Sequence, residues 1–291
     1  MPLELDGALH ELGDALRRVT VQVRARAPRG RGEAGGAGVV WREDGLVITN
    51  AHVARAKRAV VVLPDGRSVA ARRMALDAVR DLAALRLDAS GLEAAPRRPA
   101  ALLRPGDVVV ALGHPLGWVG ALGFGVLHGL DRFRGAPRLI RADIRLAPGN
   151  SGGPLADAAG AVVGLNAMVV SGLGVAVPVE AVERFLAPPG TRPMLGLSLR
   201  PALARGPGGD RLAFLVTAVR RGGPAARAGI RPGDALLGID GNGFTAEIDL
   251  GVALEGAAPG VVMELELARN GGITRREVRL EAEAALEVAV A

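Results

Sequence analysis

The sequence contains no cysteine. Disulfides, thiolate metal sites and a cysteine nucleophile are therefore excluded. Tyrosine is absent too, and with 5 Phe and 2 Trp the aromatics make up only 2% of 291 residues. That is too few for a platform that stacks nucleic-acid bases. Lysine occurs once, at Lys57, so every other basic side chain is Arg. The formal net charge of +6 is spread along the chain and mixed with 30 acids. It reads as solvated surface, with no specific nucleic-acid partner expected. No run of about 18 uncharged apolar residues exists, so no membrane span is expected. Glu4, Asp6, Glu11 and Asp14 interrupt the N-terminal region, which lacks the apolar stretch of about 7 or more residues of a signal peptide. The chain as written is expected to start in the cytoplasm, or to have had an export signal removed. Without Cys or an HExxH helix, a metal site is not expected. No glycine-rich phosphate loop followed by Lys is present, so neither ATP nor another cofactor is implied.

What is present is an ordinary globular balance, 49% apolar and 23% charged, with 42 Gly and 19 Pro at no fixed period. The length suggests two domains. Leu5, Leu9, Leu12, Leu16 and Val19 recur every three or four residues. They predict an amphipathic helix over 1–18, either docked on its own domain or contacting another copy. From Val19 the pattern changes to short β-rich runs bounded by Gly, Pro or Asp: VTVQVRA, AGVVW, LVIT, AVVVLP, LAALRL, VVVALG, AVVGL and GVAVP. Many short strands with turn signals predict a mainly β domain over 19–187, a barrel or sandwich closed by a short helix. PPG opens a linker over 188–193. A smaller α+β unit over 194–281 contains LGLSL, AFLVTAV, ALLGI and VMELELA, and 282–291 reads as a tail.

Three short segments carry chemistry. His52 follows the strand LVIT in TNAHV, Asp81 directly precedes the strand LAALRL, and Ser151 lies in GNSGGP. A serine hydroxyl is a poor nucleophile until a base accepts its proton. Histidine titrates in the range needed to take that proton and return it. A carboxylate on the other ring nitrogen fixes the tautomer and stabilises the imidazolium. The oxyanion of the tetrahedral intermediate needs fixed donors, which backbone N–H groups of a tight glycine-rich turn provide. Each residue alone is ordinarily structural. Together, in the order His, Asp, Ser and each at a strand edge, they point to acyl transfer by an activated serine. Asp77 and Asp88 are rival acids but sit less directly before the strand. His114, in GHPLG, reads as a turn residue.

The chain resembles the HtrA/Deg serine proteases. The resemblance is carried by GAGVVWREDGLVITNAHV, DGRSVAARRMALDAVRDLAALRL, IRADIRLAPGNSGGPL, GLGVAVPVE, LGLSL and GGPAARAGIRPGDALLGIDG. It implies a trypsin-like double β-barrel followed by one PDZ domain. It implies that His52 is the general base, Asp81 its orienting acid and Ser151 the nucleophile, with the N–H groups of Gly149 and Ser151 as the oxyanion hole. Leu146, Met168 and Leu173 would line the primary specificity pocket. These apolar residues imply cleavage after small to medium aliphatic residues. Leu195, Gly196 and Leu197 would receive a peptide C-terminal carboxylate, with Ile248–Leu254 walling the groove. The implied partners are unfolded protein or peptide substrates, peptide C-termini and further copies of the chain in a trimer. The implied activity is ATP-independent quality-control proteolysis, the alternative being a chaperone-like peptide binder with a latent protease site. Members of the resembled family are usually extracytoplasmic.

Overall fold

The structure is a computed structural model that describes residues 2–26, 33–115, 118–188, 193–206, 209–247, 249–255 and 257–282. Met1, residues 189–192 of the expected linker, Ile248 of the expected groove wall and residues 283–291 of the expected tail lie outside the described residues. The chain divides into two compact units. The first comprises Met1–Arg132 and Pro137–Phe185, the second Phe133–Ala136 and Leu186–Ala291.

The first unit opens with helix α1 (Pro2–Val19). Leu16 and Val19 of its apolar stripe are almost completely buried, and Leu12 packs beside Leu16. Two closed six-stranded barrels follow. The first contains β1 (Thr20–Arg26), β2 (Glu33–Arg42), β3 (Leu46–Thr49), β4 (Arg58–Val62), β5 (Ser68–Asp77) and β6 (Leu82–Leu87), closed in the order β1-β2-β3-β6-β5-β4. The second contains β7 (Val108–Gly113), β8 (Ala121–Phe133), β9 (Ala136–Asp143), β10 (Pro154–Asp157), β11 (Val162–Val170) and β12 (Leu173–Pro178), closed in the order β10-β11-β12-β9-β8-β7. Barrels of this size are filled by their inward side chains. Here these are mostly Val, Ala and Leu: Val21, Val23, Val47, Val61 and Leu85 in the first barrel, and Val109, Leu127, Ile140, Leu155 and Val163 in the second. Closure leaves no open sheet edge, so the irregular segments that could hold chemistry are confined to the strand ends. Helix α2 (Val179–Leu186) ends the unit and buries Val179, Ala181, Val182 and Phe185.

The second unit is built on a sheet of β14 (Leu197–Gly206), β15 (Gly209–Val219), β16 (Ala235–Ile239), β18 (Val262–Arg269) and β19 (Gly272–Arg279), with β17 (Asn242–Gly243) paired to β16. A two-stranded ribbon joins β13 (Pro193–Met194) to β20 (Glu281–Ala282). Helices α3 (Pro224–Arg227) and α4 (Asp249–Glu255) complete it. Phe214 and Phe244 meet edge to face at 4.9 Å between ring centroids, in a core that also holds Leu236, Leu265 and Leu267. Two barrels plus a small α+β unit agree with the mainly β reading of the sequence. Among the described residues, no helix is long and apolar enough to cross a membrane.

Candidate active site

Strands β3 and β6 pair antiparallel, with Thr49 opposite Ala83. The residues after β3 therefore meet the residue before β6. That register places His52 beside Asp81 and settles which acid faces the imidazole. Asp81 Oδ2 lies 2.7 Å from His52 Nδ1, and Asp81 Oδ1 accepts the backbone N–H of His52 at 2.9 Å. The Asp81 carbonyl accepts from Ala51 N at 3.1 Å and from Asn50 Nδ2 at 2.9 Å. Asp81 has φ 56°, the left-handed region that Asp tolerates better than most side chains. Its rival Asp77 is occupied elsewhere. Its Oδ1 accepts from Val79 N and Arg80 N, both at 3.0 Å, and it pairs with the Arg80 guanidinium. With Asp81 on Nδ1, a neutral His52 carries its proton there and leaves Nε2 free to act as a base.

Ser151 lies in the loop that leads into β10. This loop is shaped by glycines that have no room for a side chain. A Cβ on Gly149, at φ +108°, would sit 2.3 Å from the His114 carbonyl oxygen. One on Gly152, at φ +84°, would sit 2.2 Å from both Ala37 O and Thr49 Oγ1. Ala37 N donates to Ser151 O at 2.8 Å, while Thr49 Oγ1 donates to Ala37 O at 2.6 Å. Strand β2 thus links the segment that leads into His52 with the Ser151 loop. Buried Asn166 fixes the far side, with its N–H donating to Gly153 O at 2.9 Å and its Nδ2 to Pro154 O at 2.8 Å. Asn150 N donates to Ala147 O at 2.9 Å. Among the described residues, the N–H groups of Gly149 and Ser151 make no hydrogen bond. Ser151 Oγ donates to Ala167 O at 3.0 Å, and no hydrogen bond joins it to His52.

Ala37, Thr49 and Asn166 are supporting residues that the sequence reading did not single out. Thr49 directly follows LVIT's isoleucine and was legible only as a strand end. Ala37 acts through its backbone, which carries no residue-type signal, and Asn166 through its backbone and a side-chain amide that belongs to none of the motifs.

A cleft of about 450 Å³ beside Asn150 has Leu146 among its lining residues, together with Ile144, Arg145, Ala147, Val169 and Gly172. Met168 and Leu173 are not among its lining residues. Met168 lies on β11, half exposed, and Leu173 opens β12, partly buried. His114, next to the Gly149 turn, is 7% exposed. Burial is the largest cause holding its pKa below the ordinary histidine value; Arg24 adds to this and the Val21 backbone opposes it.

In the second unit Leu195 is buried in the core and its carbonyl accepts from Ala225 N at 3.0 Å. Gly196 has φ +75°, which a turn of this hand requires, and its carbonyl accepts from Arg220 N at 2.9 Å. Among the described residues, the N–H groups of Leu195 and Gly196 are without hydrogen-bond partners. Leu197 begins β14, and α4 covers most of the expected groove wall.

A trypsin-like peptidase domain model matches residues 36–165 and a PDZ domain model residues 215–269. The chain is 33% identical over 274 residues to the putative serine protease HhoA of Synechocystis sp., covering 84% of this chain and 70% of that protein. It is 33% identical over 257 residues to the probable periplasmic serine endoprotease DegP-like of Halomonas elongata, covering 81% of this chain and 54% of that protein. Among solved structures, the HtrA-type protease AlgW with decapeptide has a TM-score of 0.65 at 25% identity, over 95% of this chain and 99% of that one. The serine endoprotease from Yersinia pestis has a TM-score of 0.62 at 27% identity, over 93% and 97%. With both domain models matched in order and relatives of this kind along most of its length, the chain belongs to the HtrA/Deg family of serine endopeptidases, a trypsin-like protease domain followed by a PDZ domain.

Proposed function

We propose that this protein is an ATP-independent serine endopeptidase that cleaves unfolded or misfolded protein segments in protein quality control. In this reading His52 takes the Ser151 hydroxyl proton as Oγ attacks the scissile carbonyl carbon. Asp81 holds the imidazole tautomer and stabilises its cation. The proton then passes from His52 to the leaving amine, and water repeats the sequence to release the acyl group. The N–H groups of Gly149 and Ser151 receive the oxyanion in both halves. The observation that carries the reading is the paired His52 and Asp81, 2.7 Å apart, in the same unit as a serine loop with two N–H donors that are unengaged among the described residues.

Leu146, Met168 and Leu173 are proposed to favour small to medium aliphatic residues before the cut. One methylene in such a pocket is worth about 1–3 kcal/mol, so the preference is broad. Leu195, Gly196 and Leu197 are proposed to receive apolar peptide C-termini, supported by the N–H groups of Leu195 and Gly196, which have no partner among the described residues. Trimer formation is proposed from the family resemblance alone.

A second reading, a peptide binder whose protease rests latent, is favoured by one observation: Ser151 Oγ is bonded to Ala167 O instead of His52. Digestion of unfolded casein, with cut sites mapped by mass spectrometry, separates the two. The first reading expects cuts after Val, Ala, Leu and Ile. It expects their loss in Ser151→Ala, by on the order of 10⁶ in turnover. Cuts that persist in Ser151→Ala overturn the triad. An intact substrate, together with no labelling of the wild type by a fluorophosphonate, supports latency.

A further inference from the structure

A continuous line of hydrogen bonds joins the N-terminal helix to the Gly149 turn. Arg17 Nε, on α1, donates to Gly120 O at 3.1 Å. Gly120 N donates to His114 Nδ1 at 3.2 Å, and this bond is buried. His114 N donates to Gly149 O at 3.0 Å. Each link is reinforced by close packing. Gly120, at φ +68°, lies so near the Arg17 stem that a Cβ would meet Nε at 3.1 Å and Cγ at 3.3 Å. Gly149 lies under the His114 carbonyl, and Gly113 lies against Asn150, whose Cα a Cβ there would meet at 2.7 Å. The helix that presents Arg17 is itself anchored, because Leu16 is buried against Val110, Leu112 and Ala156 of β7 and β10.

We propose that Arg17 is a positioning residue for the Gly149 turn, acting through Gly120 and His114, so that docking of α1 sets how the turn presents its N–H groups. The inference rests on the reading of Gly149 and Ser151 as oxyanion donors. Its physical basis is the placement of Gly149. The Gly149 carbonyl is pinned by His114 N–H, and its Cα lies under the His114 carbonyl with no room for a side chain, so His114 fixes the point from which the peptides on both sides of Gly149 run. His114 is in turn held by its ring, which accepts from Gly120 only while Nδ1 is unprotonated. Burial favours the neutral ring, Arg24 on β1 adds to this, and the Val21 backbone opposes it. Arg17 keeps its fork oriented through Asp14, 2.7 Å from Nη1. Loss of the Arg17 bond frees the Gly120 carbonyl, loosens the His114 ring and lets the turn tilt. A small misplacement of this kind lowers turnover without weakening ground-state binding.

The test uses the full chain and steady-state cleavage of a quenched-fluorescent peptide. Arg17→Met keeps the stem over Gly120 but removes the donor, and is expected to lower kcat about tenfold with KM and melting temperature unchanged. Arg17→Lys, which restores a cationic donor, is expected to recover most of the loss. Arg18→Met removes a guanidinium from the same helix, one that bonds Glu93 at 3.0 Å, and is expected to match the wild type. His114→Leu is expected to lose about 100-fold, and His114→Asn, whose amide oxygen can accept from Gly120, to recover much of it. Wild-type kcat in Arg17→Met, or an equal loss in Arg18→Met, overturns the relay. If Arg17→Met fails to fold, the two His114 variants decide, and equal losses in Leu and Asn overturn it. An active wild type with unaffected Arg17→Met removes the relay alone, whereas undiminished cleavage by Ser151→Ala removes the site reading beneath it.

Discussion

Each of the two units places an aspartate directly before a buried apolar strand: Asp81 before β6 and Asp234 before β16. The sequence signatures, DLAALRL and DALLGI, are nearly the same. Asp81 faces an imidazole, and its side chain is 20% exposed beside a half-exposed His52. Asp234 is 2% exposed and is clamped by a guanidinium, with Arg269 Nε on Oδ1 at 2.6 Å and Nη2 on Oδ2 at 2.7 Å. Arg231 N also donates to Oδ2 at 2.8 Å. The difference lies in the partner. Arginine never releases its proton, so Asp234 can only hold structure. Histidine can, so Asp81 can govern a proton transfer.

Asparagine at each position sharpens the contrast. Asp81→Asn keeps the shape and tolerates the left-handed backbone, but it presents an amide to His52 Nδ1 and favours the wrong tautomer. It is expected to lower kcat by about 10⁴ while leaving the melting temperature within a few degrees. Retained turnover in single-turnover kinetics would show that another acid orients His52. Gly149→Ala attacks the other half of the site by geometry instead of charge. Its Cβ collides with the His114 carbonyl, so the turn must shift. The expected loss is about 10²–10³ in kcat, the cost of one oxyanion donor, with fluorophosphonate labelling slowed in parallel. Unchanged labelling would mean that the turn absorbs the methyl elsewhere.

The mainly β character and the His–Asp–Ser order were legible because strand runs bounded by turn residues fix where loops fall; the choice of barrels over a sandwich came from the family resemblance. The docked face of α1 was legible as a stripe at Leu12, Leu16 and Val19, but its partner was not, since a stripe carries no address. Pocket residues were harder. In β11 the pairing register shifts between Asn166 and Met168, and a bulge changes which face a residue presents. Alternation through that point could not place Met168, which the family resemblance alone supplied, and the cleft beside Leu146 takes in the neighbouring Val169. The Arg17–Gly120–His114 line was invisible for a different reason. It runs through main-chain groups and an arginine that composition marks only as solvated charge.

Asp234→Asn is the counterpart of Asp81→Asn and should reverse its effects. It removes the charge from a buried, bidentate pair while keeping some hydrogen bonds, and is expected to destabilise the second unit by on the order of 2 kcal/mol. Peptide cleavage by the first unit should be nearly unaffected. The pH dependence gives the sign. The Asp234 pKa is lowered in the folded state, chiefly by the hydrogen bonds from Arg269, with Arg231 contributing. A depressed carboxylate pKa means that the unfolded chain binds its proton first as pH falls. The stabilisation is therefore complete above the unfolded value of about 4 and is lost as pH drops through the lower folded value. Amide hydrogen exchange in β15 and β16 of the full-length protein reads this directly. Wild type should exchange more slowly than Asp234→Asn at neutral pH, and the gap should close only below about pH 4. A gap that closes near pH 6 instead would show that a group other than Asp234 sets it, since none of the four histidines lies in the second unit. A gap absent at every pH would show that the Arg269 pair contributes nothing net, as buried ion pairs can when desolvation cancels their attraction.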